Sequence, residues 1–208
     1  MALFPDSLHD DAGQYAQAYF EQLTQAAATV DPSSVAAAGR LLVKTALAGG
    51  LIYSCGNGGS AAIANHLVCD CMKGVRAGSS LAPRVVSLSS NVEMITAIAN
   101  DISVEQVFSY QLHSLGKPGD VLIAISSSGT SPNILAALRE AKSLGVATIA
   151  MTGFSGGDSR QLADVSLHID AQNYGVVEDT HQSMMHILAQ YMRHAHLDHP
   201  NRLGELTF

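Results

Sequence analysis

A chain of 208 residues, 47% of them hydrophobic, can bury one large core or one domain with a helical extension, and it requires no second domain. A net charge of -7, with no run of Lys and Arg, argues against nucleic acid as the main ligand, because a phosphate backbone would meet net repulsion. No stretch approaches 18 uninterrupted apolar residues, the N-terminus has no basic region followed by an apolar one, and Cys55, Cys69 and Cys71 form no C-x-x-C pair, so a cytoplasmic protein with reduced thiols is expected.

The first predicted element is a helix over residues 11–30, with Tyr15, Tyr19, Phe20, Leu23, Ala27 and Val30 on one stripe. Asp31, Pro32, Ser33 and Ser34 interrupt it, and a second helix over 34–48 repeats the pattern with Val35, Leu41, Leu42 and Thr45. Such a pair cannot bury both faces on itself. It reads as a packing arm, with use between subunits favoured over a purely intrachain role.

From Gly49 the rhythm changes to short apolar strands at 51–55, 84–88, 120–125, 146–151 and 165–169, with helical patterns between most of them at 59–73, 90–99, 104–115 and 132–144. This alternation is the βαβ signature of a mostly parallel sheet covered on both faces, and such sheets bind ligands at the carboxyl ends of their strands. A last helix is expected over 177–195. The organisation is a helical arm over 1–48, an α/β domain over 49–199 and a loosely ordered tail over 200–208.

Three loops leave the strand ends with polar or glycine-rich sequence. The most telling is 126–131, Ser-Ser-Ser-Gly-Thr-Ser, between an apolar strand and a helix that starts at Pro132 with Ser131 as its N-cap. Backbone N–H groups, the positive end of the helix dipole and the hydroxyls of Ser126, Ser127, Ser128, Thr130 and Ser131 converge on one small volume that suits a phosphate. The Gly-Lys-Ser/Thr pairing of a nucleotide loop is missing, so a small phosphoester is favoured over a nucleoside triphosphate. The same residues also fit an ordinary capped turn, and the loop alone leaves both readings open.

In the loop 56–60, Gly56, Gly58 and Gly59 permit close backbone approach, and Ser60 is expected to cap the following helix. On that helix His66 and Asp70 stand at i and i+4 and share a face, as either a metal half-site or an acid/base pair. On the last helix Glu178, Gln182 and His186 step along at i+4, with His181 on a neighbouring stripe. His186 lies among Met184, Met185, Ile187 and Leu188, where a buried imidazole needs a partner.

Residues 54–60 with His66 downstream, Asn100 and Asp101, residues 125–133 and the closing helix with His186 together resemble the sugar isomerase (SIS) domain family, and within it the phosphoheptose isomerases. The resemblance covers almost the whole chain, with the four motifs in the right order. It implies a three-layer α/β sandwich with a mostly parallel five-stranded, flavodoxin-like sheet preceded by an N-terminal helical pair. It also implies aldose-ketose isomerisation of a phosphosugar, most closely sedoheptulose 7-phosphate to an aldoheptose 7-phosphate, through an ene-diol.

By the same resemblance, Ser126, Ser127, Ser128 and Ser131 hold the phosphate, while Asn57, Gly58, Ser60 and Asp101 contact the sugar. His66, Asp70, Glu178 and His186 surround a zinc ion or the reacting carbons, with Asp70 as base and His186 as acid; by its place on the adjacent stripe, and not by the resemblance, His181 is the first substitute for the acid. A homotetramer with intersubunit active sites is implied. The chain departs from the family at three places: Asp70 stands for Glu, Glu178 for Gln, and Gly175 for an acid just before the last helix. Two alternatives stay open: an isomerase for another phosphosugar, or a non-catalytic phosphosugar-binding protein of the same fold, including a replication-initiation regulator, that keeps the serine loop and dispenses with the acid/base pair.

Overall fold

A computed structural model describes residues 3–207, so residues 1, 2 and 208, the outermost positions of the expected arm and tail, lie outside the described residues. Five parallel strands, β1 (Leu51–Gly56), β2 (Arg84–Ser87), β3 (Val121–Ser126), β4 (Ala147–Thr152) and β5 (Val165–His168), form one sheet in the order β2-β1-β3-β4-β5. Every residue of β3 is buried, which is why its sequence is a continuous apolar run rather than an alternating one.

Successive strand residues face opposite sides, and two cores follow from that. Val121, Ile123 and Ile125 pack under α1 (Ala12–Ala27), α2 (Pro32–Leu47), α3 (Gly59–Cys69) and α8 (Tyr174–His194). Leu122 and Ala124 pack on the other side, under α4 (Val92–Asp101), α5 (Ser109–Leu115) and α6 (Pro132–Ser143). Because β1 lies between β2 and β3, the strand order reverses there, and the loops leaving β1 and β3 diverge to open a crevice at their carboxyl ends.

The arm covers part of the first core. It packs within its own chain: Ala26, Ala38 and Leu42 are buried in the first core, Leu42 alone contributing about 2 kcal/mol, and the Tyr19 hydroxyl donates to Asp179 of α8 at 2.6 Å. Phe20 stays 63% exposed, so its place on the apolar stripe does not make it core. The second helix begins at Pro32 rather than 34, because the Asp31 carboxylate accepts the N–H groups of Ser33 and Ser34, both at 3.1 Å. Asp120, expected in a strand, precedes β3 and is buried, its carboxylate accepting the N–H groups of Leu51 (2.8 Å) and Lys117 (3.1 Å). The short α7 (Gly157–Leu162) was not expected; its polar sequence has no apolar period to reveal it.

Candidate active site

The serine loop forms the floor of a cavity of about 150 Å³ lined by Asn57, Ser60, Ile125, Ser126, Ser127, Ser128, Ser131, Tyr174 and Glu178. Its shape depends on Gly129, which has φ +69 and packs so tightly on the Gly156 carbonyl that a Cβ there would overlap it. The Gly129 N–H donates to the Ser126 hydroxyl at 3.2 Å, and the Ser126 and Ser131 hydroxyls lie 3.3 Å apart. Ser131 occupies the N-cap of α6 without spending its hydroxyl on a cap bond, and the buried Ser127 hydroxyl has no protein partner at all. Hydroxyls left unspent at a helix N-terminus are what an anion needs. Thr130 differs from expectation: its hydroxyl donates to that of Ser128 at 3.2 Å, outside the cavity wall.

The glycine loop supplies the opposite wall. Gly58, at φ +53, is the N-cap of α3, so Ser60 sits inside the first turn, buried and facing the cavity instead of capping as expected. Above it, the Glu178 carboxylate lies flat on Gly59, where any Cβ would overlap it. Asp101 is not brought to this cavity; it is exposed at the end of α4 and accepts the Asn100 amide at 2.7 Å.

A second cluster lies further along α3 and α8. Asp70 Oδ1 is 3.1 Å from His66 Nε2, Asp70 Oδ2 is 2.8 Å from His186 Nδ1, and the donor atoms of all three lie within 4.8 Å of one another. The His66 and His186 rings meet edge to face at 5.1 Å. Despite its close approach to His186, the water-shielded Asp70 Oδ2 has no hydrogen bond of good geometry. Two imidazoles and a carboxylate converging in this way, with an orphaned oxygen between them, fit zinc as a ligand set. The helix widens into a π turn over Asp70–Val75, starting at the residue that must reach both rings. Glu178 stands outside this group, two turns or about 12 Å before His186 along α8.

Behind His186, the Gln182 amide lies 3.1 Å from Nε2 and holds the orientation of the ring. A cavity of about 280 Å³, lined in part by Asp70, Gly74, His186 and Gln190, opens beside the cluster. His181 is elsewhere. It is fully buried, neither ring nitrogen has a partner of good geometry, and burial pushes its pKa down to about 4, which the nearby Thr152 backbone offsets only in part. It cannot touch a ligand, which removes it as a substitute acid.

Sequence reasoning missed three contributors. Tyr174 reaches the cavity from the first turn of α8 and stacks against Phe154 at 4.7 Å, a contact across distant segments with no local signal. Asn133 pairs with Asn57 through both side-chain amides. Tyr19 fills the space that a side chain at Gly175 would need, its hydroxyl standing 2.9 Å from where that Cβ would be.

The SIS domain model matches residues 14–153. The phosphoheptose isomerase of Maridesulfovibrio salexigens is 38% identical over 187 residues, covering 89% of this chain and 87% of the relative. The probable phosphoheptose isomerase of Thermoplasma volcanium is 36% identical over 170 residues, 82% and 86% of the two chains. Among solved structures, a phosphoheptose isomerase from Francisella tularensis superposes with a TM-score of 0.80 at 30% identity, covering 88% of this chain and 98% of that one.

Proposed function

The chain belongs to the SIS domain family, among the phosphoheptose isomerases, and from that premise we propose that it converts sedoheptulose 7-phosphate into an aldoheptose 7-phosphate through an ene-diol. The observation that carries the reading is the pairing of two features along α3 and α8: a hydroxyl-lined cavity at the strand ends and, further along the same helices, a carboxylate held between two imidazoles.

The phosphate is held by Ser126, Ser127, Ser128 and Ser131 through hydroxyl and backbone donors, with no cation among the lining residues. Asn57, Gly58 and Ser60 meet the sugar chain, and Glu178, whose carboxylate already faces that cavity, accepts sugar hydroxyls. Asp70 removes the proton from the carbon beside the ketone. His186, oriented by Gln182, moves the proton between the two oxygens, and the carbonyl passes to the neighbouring carbon as Asp70 returns its proton. His66, Asp70 and His186 would hold a zinc ion, which when bound supplies a positive charge that polarises the reacting oxygens.

We also infer a homotetramer working in the cytoplasm. Its support is apolar side chains left at the surface, Phe20, Val92 and Val104 each being more than 60% exposed. A monodisperse monomer at working concentration would count against the assembly.

The test of the activity is to incubate the protein with sedoheptulose 7-phosphate and with pentulose and hexulose phosphates, with and without zinc, in deuterated water. Aldose formation with deuterium at the carbon that received the proton is expected. Binding without turnover of any of these would favour the non-catalytic alternative.

A further inference from the structure

We infer that Asn133 is a positioning residue for the phosphosugar: it clamps Asn57 and so fixes the sugar-contacting loop against the phosphate-holding loop. The inference rests on the phosphosugar reading above.

The two amides form a reciprocal pair. Asn57 Nδ2 donates to Asn133 Oδ1 at 2.9 Å, and Asn133 Nδ2 donates to Asn57 Oδ1, also at 2.9 Å. Asn133 is only 7% exposed, on the first turn of α6 directly after the serine loop, whereas Asn57 is exposed on the glycine loop after β1. Because β1 and β3 are adjacent at the reversal of strand order, this pair spans the crevice between the two ligand loops. Their backbones diverge here, and no ladder bond continues past Gly56 and Ile125.

The chemistry of the pair sets what Asn57 can offer. An amide has two N–H donors and an oxygen with two lone pairs; the pair consumes one of each, leaving Asn57 one N–H and one lone pair. Asn57 and Ser131 line both the serine cavity and an outer cavity of about 460 Å³ that Asn133 also lines, so the paired amides are part of the partition between the two. An unpaired Asn57 on an exposed loop would have to lose rotamer freedom on binding; a clamped one has lost it beforehand. Neither amide touches His66, Asp70 or His186 through any hydrogen bond, so the effect falls on sugar placement.

Isothermal titration with sedoheptulose 7-phosphate and with inorganic phosphate, on the wild type, Asn57→Ala, Asn133→Ala and the double variant, tests this. Each single variant should weaken phosphosugar binding by roughly tenfold, and the double by no more than the worse single, since the second deletion removes an interaction already gone. Inorganic phosphate, which needs only the serine loop, should bind all four alike. Asn133→Asp keeps the shape and one of the two bonds; it covers the case that Asn133→Ala does not fold, and its affinity should fall between those of wild type and Asn57→Ala. Multiplying effects in the double variant, or parallel loss of inorganic phosphate, would overturn the clamp while leaving the isomerase reading intact. A wild type that binds no phosphosugar would overturn both.

Discussion

Asp70 Oδ2 lies 2.8 Å from His186 Nδ1, joining the end of α3 to the middle of α8. Asp is one methylene shorter than the Glu of the family pattern, and a π turn starts at this residue. The reach of the carboxylate is therefore set by the local helix as well as by the side chain. Asp70→Asn should lower turnover at least 100-fold, since an amide cannot take the proton. Asp70→Glu should keep zinc but lower turnover by roughly 10- to 100-fold, because the carboxylate overshoots by a bond length. An Asp70→Glu variant as active as the wild type would show that the π turn does not tune this reach.

The serine cavity makes a separable prediction. With Ser127 unpartnered and Ser131 free of capping duty, the hydroxyls are available to a phosphate. Ser128→Ala and Ser131→Ala should each weaken phosphosugar binding by about 1 kcal/mol per hydrogen bond lost. Unchanged affinity in the double variant would remove the phosphate from this loop.

Most of this architecture could be read from local patterns, because local causes produced it. The continuous apolar run of β3 follows from burial on both faces, and Pro132 marks the start of α6. What the pattern missed depends on distant contacts. The arm packs on α8 through Tyr19 and Asp179, 160 residues apart, and helical periodicity shows which stripe is apolar but not what covers it. The i, i+4 spacing of His66 and Asp70 was legible, whereas their meeting with His186 needs the packing of α3 on α8. Ser60 and Thr130 are cautionary: hydroxyls in a loop all resemble ligands or caps in sequence, and backbone direction decides which face the cavity.

Glu178 distinguishes two roles for the same carboxylate. It sits on Gly59 in the serine cavity, outside the group of Asp70 and the two imidazoles. Glu178→Gln should therefore leave bound zinc per chain unchanged while raising KM several-fold through lost acceptance of sugar hydroxyls. A matching loss of zinc would instead make Glu178 a ligand of the ion.

For His186, replacement by Gln keeps much of the volume and polarity but not the proton transfer. Turnover should fall about 100-fold or more, with phosphosugar affinity nearly retained. Full activity in His186→Gln would move the acid to another group, and His181, sealed in the core, could not be that group.

His181 has a consequence for stability. Burial lowers its pKa from 6.5 to about 4 in the folded protein, with the neighbouring His168 acting in the same direction. In the unfolded chain the ring titrates near its ordinary value, so between pH 6.5 and 4 the unfolded state binds the extra proton. The neutral ring's contribution is thus fully present above about pH 6.5 and is lost as the pH falls through 4, an effect on the order of 3 kcal/mol at most. Urea unfolding at pH 7 and at pH 4.5 should show a steeper loss for the wild type than for His181→Leu, in which that proton uptake is abolished. His168, also lowered by its burial, and the carboxylates are present in both proteins, so the difference between the two slopes isolates His181. Equal slopes would mean that the ring finds a partner on protonation and that its burial is not what sets its charge.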